Sequence, residues 1–74
     1  MDWQAVESTS VSKVAYSVTT RVLGIEFLRS GRYEYLDVSV EEHAALMRAE
    51  SKGLHVNRFI KGKHPYRRCS RVAP

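Results

Sequence analysis

Acidic residues stop at Glu50: residues 51–74 of this 74-residue chain hold seven bases and no acid. Residues 1–50 show the reverse, with five bases against eight acids, so a net −3 is followed by a net +7. Such segregation leaves one end of a small domain with a positive field. It attracts phosphates, anionic lipids or acidic proteins, and it equally suits a solvated tail that keeps the chain soluble. Cysteine is nearly absent. Cys69 stands alone, so no internal disulfide can form, and a stapled secreted scaffold is excluded. Long apolar runs are missing as well. Stretches such as Val22 to Ile25 and Ala44 to Met47 fall far short of the ~20 residues that cross a bilayer. The opening Met1-Asp2-Trp3-Gln4 puts an acid where an export signal carries base. These absences predict a cytoplasmic protein with no membrane partner.

What is present fits one domain over residues 1–74, with a core of about residues 6–68 and a tail over 69–74. A domain this small buries only roughly 60% of its unfolded surface, so self-association is a further expected source of burial. Polar residues 8–12 read as a lead-in. A first strand, Lys13 to Val18, alternates Val14, Tyr16 and Val18 against Lys13, Ala15 and Ser17, the period of a half-buried strand. A second, Val22 to Leu28, carries Leu23, Ile25 and Phe27 on one face, and a third runs from Arg32 to about Asp37. A three-residue turn with Gly31 in the left-handed bulge position pairs Phe27 with Tyr33 and Ile25 with Tyr35. That register keeps the apolar side chains together and leaves Glu26, Arg32 and Glu34 in water; a slip of one residue would reverse every side chain.

Ser39 and Glu42 form a capping box that starts a helix whose apolar arc is Val40, Ala44, Leu46 and Met47, with His43 inside it. Gly53 is the expected left-handed stop. A shorter helix over Leu54 to Lys61, with Val56, Phe59 and Ile60 inward, ends at Gly62 before an extended Lys63-His64-Pro65-Tyr66. The expected fold is α+β: a three-stranded antiparallel β-meander, then two short helices packed on one face, then a basic extended C-terminal tail.

The order of landmarks resembles the KTSC domain family, named for its occurrence at the C-terminus of some lysyl-tRNA synthetases and found also in small stand-alone bacterial proteins. The resemblance covers about Val6 to Arg68 and centres on Tyr33-Glu34-Tyr35. Ser8, Ser10, Tyr16, Leu23, Ile25, Phe27 and Gly31 precede that motif; Val38, Leu46, Ala49, Ser51, Gly53, Asn57, Ile60 and Tyr66-Arg67-Arg68 follow it. Three positions depart from the pattern. Ser39 replaces a usual proline, His43 a usual tyrosine, and His55-Val56 an aromatic pair. The resemblance implies the fold, and attachment to a tRNA-handling enzyme implies RNA as a partner.

Candidate sites follow from chemistry. Arg58, Lys61, Lys63, Arg67, Arg68 and Arg71 are interleaved with Phe59, His64 and Tyr66. The cations can neutralise phosphates, while Tyr66 or His64 can stack on an unpaired base. In an extended segment Tyr66 and Arg68 share a side. Tyr33 and Tyr35 read as core residues of the motif, with a stacking platform as the alternative; Gly31 and Gly53 read as structural. His55, His64 and Cys69 lack the close paired spacing of a zinc site, and no orienting group for a Cys–His nucleophile is suggested. No cofactor, metal or catalytic residue is expected. The runner-up is a protein-interaction or accessory module, forming a homodimer or docking to a larger enzyme through Val22, Leu28 and Leu36 on the other sheet face, with an acidic protein as a further expected partner of the basic end.

Overall fold

A computed structural model describes residues 2–69; Arg71 and the rest of the expected tail beyond Cys69 lie outside the described residues. Five antiparallel strands form one sheet in sequence order: β1 (Trp3–Ala5), β2 (Val11–Ser17), β3 (Val22–Phe27), β4 (Gly31–Tyr35) and β5 (Tyr66–Cys69). Between β4 and β5 the chain forms α1 (Val40–Arg48) and α2 (Lys52–His55), the latter running directly into a π-helical turn over Val56–Ile60. The three expected strands are therefore the middle of a five-stranded sheet. The two additions are short edge strands, each held by a neighbour's backbone. β5 carries Arg67 and Arg68, and charge on an edge is how sheets discourage further pairing. That charge made the strand look like a solvated tail.

Strand faces follow the expected alternation, but the hairpin register differs. Ile25 pairs with Tyr33, Leu23 with Tyr35 and Phe27 with Gly31. The ladder is shifted by two residues, so every side chain keeps its face. The turn is Leu28-Arg29-Ser30, and Gly31 follows it at φ +89°, a conformation that glycine adopts without a Cβ clash. Leu28 leaves the β3–β4 ladder and donates its N–H to the Ser10 carbonyl at 2.9 Å. Glu26, Arg32 and Glu34 are half-buried in ion pairs on the far face instead of lying free in water.

The core lies between the sheet and the helices. Val11, Val14, Leu23, Ile25, Tyr35, Val38, Leu46, Val56 and Ile60 are all buried in one cluster. Three expected core residues are exposed: Val18 just past β2, Val40 in the first turn of α1, and Phe59. Phe59 is the instructive case. The Lys61 N–H donates to the Val56 carbonyl (2.7 Å), five residues back, so each residue of this turn sweeps a smaller angle than in an α-helix. Val56 and Ile60 then share the inner face, and Phe59 swings out against His55, ring centroids 4.7 Å apart.

The capping box at Ser39 forms as expected. Glu42 N–H donates to Ser39 Oγ (3.1 Å), and Ser39 N–H donates to Glu42 Oε1 (2.9 Å). Gly53 is not a left-handed stop. Among the described glycines only Gly31 and Gly62 have positive φ, and α1 ends at Ala49 in an extended conformation. Gly53 lies inside α2, where a Cβ would fall 2.0 Å from Ser10 Oγ. Its role is close approach between α2 and the start of β2. Gly62, at φ +82°, ends the helical segment. No helix among the described residues is long and apolar enough to cross a membrane.

Candidate nucleic-acid interface

Two cross-strand rows build the site. One runs Val14, Ile25, Tyr33, Arg68 and the other Tyr16, Leu23, Tyr35, Tyr66. Along the first row the side chains pass from buried through half-buried Tyr33 to exposed Arg68. The second ends with Tyr35 buried and Tyr66 60% exposed. The helices cover the β2–β3 end of this face and leave the β4–β5 end open, so aromatic side chains of the core layer emerge at the surface.

They emerge as a cleft of about 360 Å³ lined by Phe27, Ser30, Tyr33, Tyr35, Lys61 and Tyr66. Phe27 meets Tyr33 edge-on, centroids 5.6 Å apart, and Tyr66 is tilted against both Tyr33 and Tyr35 at 5.9 Å. Because Gly31 is the β4 partner of Phe27, no side chain stands opposite that ring on the β4 side. Cations flank the strip: Lys61 Nζ lies 6.0 Å from the Phe27 centroid and the Arg68 guanidinium 5.9 Å from that of Tyr33. Burial, with the neighbouring tyrosines second, pushes the Tyr35 hydroxyl above its ordinary pKa, so it stays protonated at neutral pH.

The expected binding residues thus divide. Lys61, Tyr66 and Arg68 come together around Tyr33 and Tyr35, with Tyr66 and Arg68 on one side of β5 as anticipated. Arg67 points the other way, where its Nε donates to Glu34 Oε1 at 2.6 Å. Arg58 is exposed on the π-helical turn and Lys63 lies 6.0 Å over Phe59; neither lines the cleft. Among the described residues Arg58, Lys61, Lys63 and Arg68 have no ion-pair partner. Phe27 and Ser30 line the cleft and were not among the expected binding residues. The signal for Phe27 was its place on the same face as Tyr33; the two-residue shift in pairing hid its place beside the opening.

His64 is not a stacking ring. Its Nδ1 meets the Leu36 carbonyl (3.1 Å) and its Nε2 meets Glu42 Oε2 (2.6 Å), with only 11% of the side chain exposed. It ties the segment before β5 to the first turn of α1 and so fixes where Tyr66 and Arg68 begin. The Ser39 N–H, chiefly, and His64 hold the Glu42 carboxyl below its ordinary value against the opposing effect of burial. A depressed carboxyl stabilises the fold fully above its unfolded pKa and loses that contribution as pH falls through its folded one. Glu42→Gln is therefore expected to cost about 0.5–1 kcal/mol at neutral pH, a modest figure because water screens this partly exposed group. The wild-type advantage over the variant should shrink as pH drops below about 4.5. Urea denaturation of both proteins between pH 7 and pH 3 reads it.

The far sheet face is built differently. Arg32 Nε donates to Glu26 (2.7 Å), and the same guanidinium lies 4.5 Å from the Trp3 ring centroid. Cys69 lies in this layer beside Arg32, across from it in register. Burial, and then Glu34, raises its thiol, which disfavours the nucleophilic thiolate. His43 stacks on Tyr16 at 4.5 Å and 9°, filling a ring position in the helix–sheet layer, and burial lowers its pKa. Val22 and Leu28, expected to make one apolar patch, are separated by the length of β3: Val22 opens the strand and Leu28 lies in the turn past its other end. Among the described residues no cluster of three or more His, Cys, Asp or Glu side chains is placed to hold a metal ion.

An antiparallel sheet with a helical layer over half of one face defines a small α+β domain with an open aromatic edge. The KTSC domain is matched over residues 7–66, and the chain belongs to the KTSC domain family. It is 38% identical to a lysine–tRNA ligase of Nostoc punctiforme over 64 residues, which is 86% of this chain and 11% of the ligase. A small protein of Stutzerimonas stutzeri is 33% identical over 60 residues, covering 81% of this chain and 84% of its own. The crystal structure of a KTSC domain protein from Yersinia pestis superposes with a TM-score of 0.91 at 35% identity, covering 93% of this chain and 97% of that one. The domain therefore occurs both as a minor part of lysine–tRNA ligases and as nearly the whole of small proteins.

Proposed function

We propose that this protein is an RNA-binding accessory module whose contact surface is the β4–β5 end of the helix-bearing face. The observation that carries the reading is the cleft itself: Lys61 and Arg68 stand over the faces of aromatic rings, and no acidic side chain lines the opening. Cations of this kind neutralise phosphates, and exposed rings give bases a surface to stack on. Similarity to part of a lysine–tRNA ligase supports RNA as the partner. Arg58 and Lys63, both exposed and without an ion-pair partner among the described residues, extend the positive surface on the neighbouring helical segment.

Fluorescence anisotropy with a labelled single-stranded RNA at several salt concentrations tests this. Two to four phosphate contacts give a slope of log affinity against log salt between about −1.4 and −2.8. A slope near zero, or no binding at the lowest salt, contradicts the proposal.

A further inference from the structure

The cleft does more than carry charge, and its shape selects among nucleic acids. Resting on the RNA-binding reading, we infer that the ligand is a single-stranded segment presenting one unpaired base, which enters the cleft and stacks on Tyr66 while its flanking phosphates meet Lys61 and Arg68. Three observations lead there. Tyr66 is 60% exposed although it touches two other rings, so one face of a large aromatic is left in water. The cleft is concave and about 360 Å³, at the low end of the ~300–1,000 Å³ typical of small-molecule sites. That is room for one heterocycle, not a base pair. The cations lie over rings at two places along the strip, Phe27 and Tyr33, as a backbone crossing the opening requires. A duplex keeps its bases stacked inside and would meet only the cations.

The lining also sets the selectivity. Apart from the Lys61 ammonium, which meets phosphate, its polar side-chain groups are the hydroxyls of Ser30 and the tyrosines, each able to donate or accept, so no fixed hydrogen-bond pattern reads one base edge. The site takes any unpaired base, ranked by stacking strength, with purines ahead of pyrimidines.

The test is a set of anisotropy titrations at low salt with an eight-nucleotide oligoadenylate RNA, an oligouridylate of the same length, and a blunt RNA duplex. Wild-type protein, Tyr66→Leu and Tyr66→Phe are compared, with circular dichroism confirming that each is folded. Oligoadenylate is expected to bind best and the duplex weakest. Tyr66→Leu should weaken the single strands about tenfold without changing the salt slope, and Tyr66→Phe should retain binding. Equal affinity for duplex and single strand, or indifference to Tyr66→Leu, overturns the inference and leaves RNA binding through the backbone standing. Displacement of oligoadenylate by poly-glutamate at matched charge also overturns it, because the cleft would then take any polyanion. Failure of wild-type protein to bind any of the three RNAs removes the RNA-binding reading itself.

Discussion

Tyr35→Ala is expected to remove a large share of the protein's stability, whereas Tyr33→Ala removes little. The two tyrosines are two residues apart on one strand and point to the same face, so sequence position does not separate them. Burial does: Tyr35 is 1% exposed at the centre of the core cluster, while Tyr33 is half-buried at its border. Truncating a fully buried aromatic costs ~3–5 kcal/mol. A domain of this length has a total stability of about 4–11 kcal/mol, so the loss consumes a large share of it. Tyr33→Ala removes one edge contact with Phe27 and the ring beneath Arg68, for which about 1 kcal/mol is expected. Urea denaturation followed by circular dichroism measures both. Equal destabilisation would mean that the motif serves the core at both positions, and the cleft would lose its ring floor.

The second large effect separates neighbouring arginines. A Lys61→Gln, Arg68→Gln double variant should bind single-stranded RNA about tenfold or more weakly at low salt, with a salt slope shallower by about 1.4. Arg67→Gln should leave that slope almost unchanged, because Arg67 lies on the opposite face and is paired to Glu34. Its cost should fall on stability instead. Glu34 is only 19% exposed, and losing its partner leaves a poorly solvated carboxylate, for which about 1 kcal/mol is expected. Titrations of the three proteins over one salt series decide the matter. A slope shallower by about 0.7 for Arg67→Gln, half the change of the double variant, would indicate binding to net charge, with no face preferred.

How much of this was legible in the sequence depended on the range of the interactions. The Ser39–Glu42 capping box was readable because both partners lie within one turn. The common face of Leu23, Ile25, Phe27, Tyr33 and Tyr35 was readable because burial selects the parity of a strand. The two-residue shift in pairing was not, because it preserves that parity and changes only which side chains are cross-strand neighbours. β1 and β5 were hidden for a different reason. Three or four residues carry too little alternation to signal a strand, and the pairing that orders them comes from β2 and β4. Gly53 illustrates the same limit. A glycine after a helix pattern reads as a stop, and only the fold reveals Ser10 pressed against it.

The candidate site was half legible. Charge segregation pointed to the third of the chain that supplies Lys61, Tyr66 and Arg68, and the extended backbone after Pro65 placed Tyr66 on the same side as Arg68. The pairing of Arg67 with Glu34 and the capture of His64 by Glu42 and Leu36 are long-range contacts that no local pattern announces. Together they turn a basic segment into a surface with a defined side.

Amide and side-chain NMR shifts recorded during titration with oligoadenylate RNA address that sidedness directly. Changes confined to Phe27, Ser30, Tyr33, Lys61, Tyr66 and Arg68, with the Trp3 indole and the Arg32 guanidinium unmoved, are the predicted outcome. Shifts centred on Trp3, Glu26 and Arg32, or spread evenly over every exposed cation, would contradict a binding surface located where the helices leave the sheet uncovered.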